Sequence, residues 1–179
     1  AGTADAIGAE HVLGALSLAD AVVIGPGLTT HSATQQLVRI LVRNSRVPVV
    51  LDADGVNAFA SHPEELRNDR GQAIVITPHP GEMARLIGRT ISEVQKDRIE
   101  TAASCAEQNR CFTILKGFQT VIAAPSRCVY INSTGNPGMA TGGTGDVLTG
   151  MIGSLLAQGF GTTQAACLGV YLHGLAGDL

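Results

Sequence analysis

Three short apolar runs punctuate the first half of the chain: residues 21–24, 47–51 and 73–76, giving way to Gly25-Pro26-Gly27, to Asp52 and to Thr77-Pro78. Runs that do not alternate with polar residues mark strands covered on both faces, as in a parallel sheet. Between the first two, residues 30–44 carry Leu37, Val38, Leu41 and Val42 at helical spacing, which predicts a crossover helix. Thr90-Ile91-Ser92-Glu93 has the spacing of a capping box and predicts a helix running to about Asn109. Residues 111–116, 120–124 and 128–131 are then strand-like with short turns, and predict an antiparallel edge or meander. Past residue 144, Val147, Leu148, Met151, Ile152, Leu155 and Leu156 form a stripe that predicts a helix buried on the sheet. Residues 163–177 follow as a second helix whose Ala165, Ala166, Gly169 and Gly174 allow close packing, and residues 10–18 read as a short helix. The sum is an α/β sandwich with a mainly parallel sheet, its ligand site along the carboxyl edge of the strands.

Composition narrows the function classes. The 179 residues are 45% hydrophobic and 15% charged, enough to bury the core of one domain spanning 1–179. A net charge of −3 leaves no footprint for nucleic acid, and 3% aromatics offer no platform for stacking single strands. Cys105, Cys111, Cys128 and Cys167 lack metal-type spacing and fit a reducing cytoplasm. No apolar run reaches the ~18 residues that cross a bilayer, and no secretory leader pattern opens the chain, so no membrane partner is expected. Ala1 is not a methionine and Leu179 falls inside a helical pattern, so both ends are expected to be incomplete.

The chemistry concentrates in residues 132–150, where a glycine-rich stretch leads into the buried helix and Asp146 stands at its mouth. Glycines bring a ligand close to bare N–H groups, and the helix turns its positive end toward an anion. A carboxylate beside a bound phosphate is unfavourable unless it takes a proton or holds a metal, which points to a base; alternatively, Asp146 simply caps the helix. Neither the Walker-type Gly-Lys-Ser/Thr loop nor the dinucleotide fingerprint fits. Other polar residues fall at strand ends. Gly27 admits a ligand to the backbone or only makes a turn, and Asp52, Asp54 and Asn57 are ligands, caps or supports. His79 is pinned between Pro78 and Pro80, and Lys116 is either solvated or a phosphate ligand. His173 has no evident partner.

Asn136-Pro-Gly-Met-Ala-Thr-Gly-Gly-Thr-Gly-Asp-Val-Leu-Thr-Gly150 resembles the signature of the ADP-dependent NAD(P)H-hydrate dehydratases, of the ribokinase-like superfamily. The likeness extends, in the family's order, to Ile24-Gly-Pro-Gly-Leu28, Leu51-Asp-Ala-Asp54 with Asn57, Thr77-Pro-His-Pro-Gly-Glu82, and Leu115-Lys-Gly117 with Thr120. It implies a ribokinase-like three-layer α/β/α sandwich that repairs hydrated NADH or NADPH, with ADP or ATP as phosphoryl donor and Mg²⁺ as cofactor. The resemblance makes Asp146 the base; it places Gly27, Thr29 and His79 with Asp146 at the substrate, and Lys116, Gly117, Phe118, Gln119, Thr120, Gly142, Gly143, Thr144 and Gly145 at the nucleotide. Glu82, in a His79-x-x-Glu82 version of the superfamily's Asn-x-x-Glu, reaches the metal through water or merely caps its helix. Thr29 stands where the family usually has glycine. An epimerase, fused or separate, and a homo-oligomer are the implied partners. A small-molecule kinase of the same superfamily and a nucleotide-binding module without catalysis are the competing readings.

Overall fold

The structure, a computed structural model, describes residues 6–16, 18–67, 69 and 71–179, with side chains from Glu10 onward. The expectations attached to Ala1 as a starting residue and to Ser17 as helical lie outside the described residues. Its elements run α1 (Ala6–Leu16), β1 (Val22–Ile24), α2 (Ser32–Asn44), β2 (Val49–Leu51), α3 (Asp54–Asn57), a 3₁₀ turn, β3 (Ile74–Ile76), α4 (Pro80–Ile87), α5 (Ile91–Lys96) and α6 (Arg98–Asn109). There follow β4 (Phe112–Leu115), β5 (Val121–Ala123), β6 (Val129–Ile131), a second 3₁₀ turn, α7 (Thr144–Ala157) and α8 (Thr162–Asp178).

One six-stranded sheet joins them in the order β1-β2-β3-β4-β5-β6. The first four strands are parallel, with Val23 beside Val50 and Val50 beside Val75, and the last two pairings are antiparallel. The expected parallel sheet with an antiparallel margin is therefore present. Alternation within the apolar runs sorts the core into two layers. Val49, Leu51, Ile74, Ile76, Leu115, Val121 and Ala123 face α2, α4 and α6, where Val38, Leu41, Met83, Leu86, Ala102 and Ala106 meet them. Val50, Val75, Ile114 and Ile122 point the other way, onto Leu148, Ile152, Leu156, Ala165, Ala166 and Val170 of α7 and α8.

Three expectations need correction. The helix predicted over 90–109 is two helices, because Asp97 leaves helical geometry (φ −145°, ψ 78°) and its carboxylate accepts from the N–H of Glu100 at 3.1 Å, capping α6 afresh. Val147 is not part of the buried stripe: it is 58% exposed, because the covered face of α7 runs through Leu148, Thr149, Ile152, Gly153 and Leu156, and position 147 turns away. Val23 is 40% exposed, since β1 is the sheet margin among the described residues, and its side chain crowds Gly153 of α7. Gly169 lets α8 lie against Ile152 of α7 as expected, whereas Gly174 makes room for Thr134 of the glycine-rich stretch.

The carboxyl edge is held together by backbone-to-backbone contact. Gly25 has φ +137°, and a Cβ there would collide with the carbonyl of Asp52 and lie 2.8 Å from the N–H nitrogen of Gly55. Gly27 has φ +74° but open space around it. Gly25→Ala should therefore cost at least about 3 kcal/mol, whereas Gly27→Ala, burdened only by its left-handed backbone, should cost about 1 kcal/mol; denaturant unfolding of the two variants checks the contrast.

Candidate active site

Each parallel strand delivers a polar residue to the same edge: β1 leads to Gly25–Thr29, β2 to Asp52, β3 to Thr77 and His79, and β4 to Lys116. The centre is Asp52, 1% exposed. Its Oδ1 accepts from Lys116 Nζ at 2.5 Å and its Oδ2 from the Thr149 hydroxyl of α7 at 2.8 Å. Burial alone would raise the Asp52 carboxyl, but the charge and hydrogen bond of Lys116, with those from Thr149 and the Ala53 N–H, overcome it and hold the group below the usual carboxylate range. The Thr149 hydroxyl is also 2.8 Å from the carbonyl of Gly145, so the first turn of α7 is tied to the same carboxylate.

Lys116 is fixed from several sides. Its ammonium is 4.0 Å from Glu82 Oε2, and a Cβ placed on Gly145 would be 3.2 Å from Nζ and 3.3 Å from Asp52 Oδ2. The lysine thus lies directly beneath the glycine-rich loop. Its backbone is clamped by Arg98, which donates to the carbonyls of Leu115 at 3.0 Å and Lys116 at 3.3 Å, and whose guanidinium would crowd any side chain at Gly117. Gly117 (φ +137°) and Gln119 (φ +51°) shape the following turn, which the Thr120 hydroxyl closes onto the Gly117 carbonyl at 3.0 Å; Phe118 is 85% exposed at its tip.

Above this floor stands the glycine-rich loop. The N-cap of α7 is Gly143 (φ +90°), with no side-chain cap, and Asp146 lies in the first turn, exposed, its carboxylate without a hydrogen bond or ion pair among the described residues. The capping alternative for Asp146 is not what the geometry contains: no side chain caps α7, and the Thr144 N–H turns back to the carbonyl of Thr141 at 3.4 Å. The loop itself is bolted to α8, where Asp178 accepts from Gly135 N at 2.7 Å and from Asn136 Nδ2 at 2.9 Å, and Tyr171 O accepts from Thr134 Oγ1 at 2.9 Å. His173, which the sequence left without a partner, has one: its Nε2 is 2.9 Å from the carbonyl of Thr144, and donates to it. Burial lowers the His173 pKa against the pull of that carbonyl, with the charge of Lys116 acting in the same direction as burial.

His79 and Glu82 form a reciprocal cap on α4. His79 Nδ1 accepts from Gly81 N at 2.9 Å and Glu82 N at 3.3 Å, while Glu82 Oε2 accepts from His79 N at 2.8 Å. Glu82 is therefore a cap, only 7% exposed at its side chain, while the His79 side chain is half exposed and its Nε2 lies 3.3 Å from Glu82 Oε1. Asp54 accepts from Asn57 Nδ2 at 3.1 Å, and Asn57 accepts from Arg85 Nε at 2.9 Å, a surface chain of supports. Thr29 is exposed, with its hydroxyl 3.5 Å from His31 N at the start of α2.

Mg²⁺ usually keeps several waters and binds through one or two carboxylates plus substrate phosphates. At this edge both oxygens of Glu82 are already engaged by His79, so a metal would meet it only through water; among the described residues the grouping of three metal-type side chains is His62, Glu64 and Glu65, exposed beside a 3₁₀ turn. A shallow groove of about 560 Å³ lies between β5, β6 and α8, walled by Ile122, Tyr130, Ile131, Phe160, Leu168 and Tyr171, and takes in none of Asp52, Lys116 and Asp146.

A sequence profile described as NAD(P)H-hydrate dehydratase matches residues 3–179. The chain belongs to that family. It is 52% identical over 169 residues to the bifunctional NAD(P)H-hydrate repair enzyme Nnr of Moorella thermoacetica, covering 94% of this chain and 32% of that protein. Among solved structures it is similar to the ADP/ATP-dependent NAD(P)H-hydrate dehydratase of Bacillus subtilis, co-crystallised with ATP and Mg²⁺: TM-score 0.76, 40% identity, 87% of this chain and 54% of that one. A ribokinase-like superfamily protein of Enterococcus faecalis superposes with TM-score 0.80 at 30% identity, covering 96% of this chain and 59% of its own. The family's ribokinase-like α/β fold is thus the fold of this chain, which spans about a third of the bifunctional relative and about half of the solved dehydratase.

Of the residues singled out in the sequence, Lys116, Gly145 and Glu82 meet around one ammonium, with Asp146 adjoining Gly145 on the loop above, while Gly27, Thr29 and His79 stand at the ends of β1 and β3 on the same edge. Thr149 and Arg98 escaped the sequence. Thr149 had a signal, a polar residue on an apolar helix stripe; Arg98 had none, because only the fold lays the start of α6 under the end of β4.

Because the depressed pKa belongs to a carboxylate, the stability it contributes is present above the ordinary value of about 4 and is lost as pH falls from there through the lowered folded value. Asp52→Asn should lose about 3 kcal/mol at pH 7, where Lys116 keeps its charge without a buried partner, and the gap to wild type should narrow below about pH 4; urea unfolding across pH 3–7 measures it.

Proposed function

We propose that this protein uses ADP, or ATP, to dehydrate hydrated NADH and NADPH, and that the described residues carry its phosphoryl-transfer site. The observation that carries the reading is the unpaired, exposed Asp146 in the first turn of an α7 whose N-cap makes no side-chain bond, above a floor that holds a lysine ammonium beneath Gly145. Membership of the dehydratase family supports the substrate class, and the ATP/Mg²⁺ co-crystal of the Bacillus subtilis relative supports the nucleotide.

The N–H groups of residues 142–145 would receive phosphate oxygens, and Lys116 would oppose their charge from below. Asp146 takes the proton from the hydroxyl of the hydrated ring as the terminal phosphoryl group of the nucleotide moves onto that oxygen. The ring nitrogen's lone pair then expels phosphate, and loss of the adjacent proton restores the reduced nicotinamide. A bound Mg²⁺ would add neutralising charge at the phosphates, with Glu82 reaching it through water. Gly27, Thr29 and His79 are assigned to the substrate, and Gly117, Phe118, Gln119 and Thr120 to the nucleotide. Four free cysteines fit a reducing cytoplasm, and among the described residues no helix is long and apolar enough to cross a membrane. The bifunctional relative favours an epimerase as functional partner, fused or separate, and a homo-oligomer is the expected assembly.

A kinase that leaves its product phosphorylated is the alternative reaction, and a module that binds nucleotide without turnover is the non-enzymatic one. Full-length protein incubated with hydrated NADH and ADP or ATP separates them: reduced-nicotinamide absorbance with inorganic phosphate, a stable phosphoester, or neither.

Asp146→Asn preserves size but cannot accept the proton. Its kcat should fall about 10²–10⁴-fold while ADP affinity holds or improves, since a charge facing phosphate has gone; near-normal turnover in the folded variant would remove Asp146 as base. Lys116→Ala should weaken ADP affinity more than it lowers kcat at saturating nucleotide, because a cation gripping a phosphate that does not transfer contributes alike to ground and transition states; titration of ADP against both proteins tests it.

A further inference from the structure

Asp52, at the end of β2, is sealed from solvent, 1% exposed, with the Lys116 ammonium bonded to it. Yet it bonds two parts of the site at once. One oxygen holds the ammonium of Lys116 at 2.5 Å; the other holds the hydroxyl of Thr149 at 2.8 Å, in the helix whose first turn presents Asp146. The spacing leaves little slack, since Gly145 passes so close that even a Cβ would be 3.2 Å from the ammonium and 3.3 Å from the carboxylate. An ammonium on a four-carbon stem has many rotamers, and a cation that must meet a phosphate in one place gains from having them removed beforehand.

We infer that Asp52 is a positioning residue for nucleotide binding: it holds the Lys116 ammonium beneath the Gly145 turn, ready for a phosphate bound by that loop, and, through Thr149, keeps the turn in register with the lysine. The role rests on the nucleotide reading of the loop given above. It has a sign that separates it from plain electrostatics. A carboxylate near a polyphosphate repels it, so deleting the charge should tighten ADP binding if repulsion were all that mattered. If Asp52 acts by aiming the lysine, deleting it weakens binding instead, and does so only while the lysine is present.

The test is a double-mutant cycle on ADP affinity in the full-length protein, by calorimetry, with melting temperatures recorded for every variant. Asp52→Asn should weaken ADP binding about tenfold in the presence of Lys116 and should cause no loss, or a slight gain, in the Lys116→Ala background. Thr149→Val keeps both charges and frees one carboxylate oxygen; it should weaken binding about threefold with the lysine present, and Thr149→Ser should restore wild-type affinity. Equal losses in both backgrounds would reduce Asp52 to a general structural support, and unchanged or tighter binding by Asp52→Asn would overturn the inference outright. Should Asp52→Asn not fold, the Thr149→Val and Thr149→Ser pair decides by the same criteria. Failure of the wild-type protein to bind ADP would remove the nucleotide reading and the inference with it, whereas normal wild-type binding with a flat cycle removes the inference alone.

Discussion

A charge that no water reaches must find its partners inside the protein, and around Asp52 this requirement organises the whole carboxyl edge. Meeting it draws Lys116 inward from β4 and Thr149 down from α7, and those two movements place the glycine-rich loop over the sheet. The peptide carbonyl of the same residue also sets the approach of Gly25, so the turn after β1 is fitted against Asp52 by its main chain. Three loops from distant parts of the sequence therefore share a single reference point. Removing one partner from such a set leaves the others charged or unsatisfied, which is why a buried pair that adds little net stability is costly to break.

The surroundings of that point divide into rigid and open parts. Beneath it, Arg98 fastens the end of β4 by its carbonyls, and His79 with Glu82 closes the start of α4. Beside it, Asn136 and Asp178 lock the loop to the last helix. Asp146, in the first turn of α7, is left exposed on this frame.

The fold was legible in the sequence wherever burial imposes a period. Val49–Leu51 and Ile74–Ile76 announce two-sided strands because both faces are covered, and the stripe of α2 announces a helix because only one is. Legibility failed where a single local bond overrides the period. Asp97 ends one helix and starts another inside a segment that reads as continuous. Val147 was assigned to the core on hydrophobicity, although its position on α7 turns it outward. The site was half legible. Glycines, Asp146 and Lys116 stand out as residue types, but Asp52 read equally as ligand, cap or support, and Thr149, Arg98 and the partner of His173 depend on contacts between segments far apart, which no window of sequence contains.

Distance along the chain has a temporal meaning. Lys116 lies 64 positions beyond Asp52 and Thr149 lies 97 beyond it. At synthesis rates of about 5–20 residues per second, the second partner emerges roughly 5–20 s after the carboxylate does. For that interval β2 ends in a charge that has to remain in water, so the edge of the sheet stays unsealed until α7 has been made. The loop above it waits longer still, for Asp178 of α8 to fasten Gly135 and Asn136.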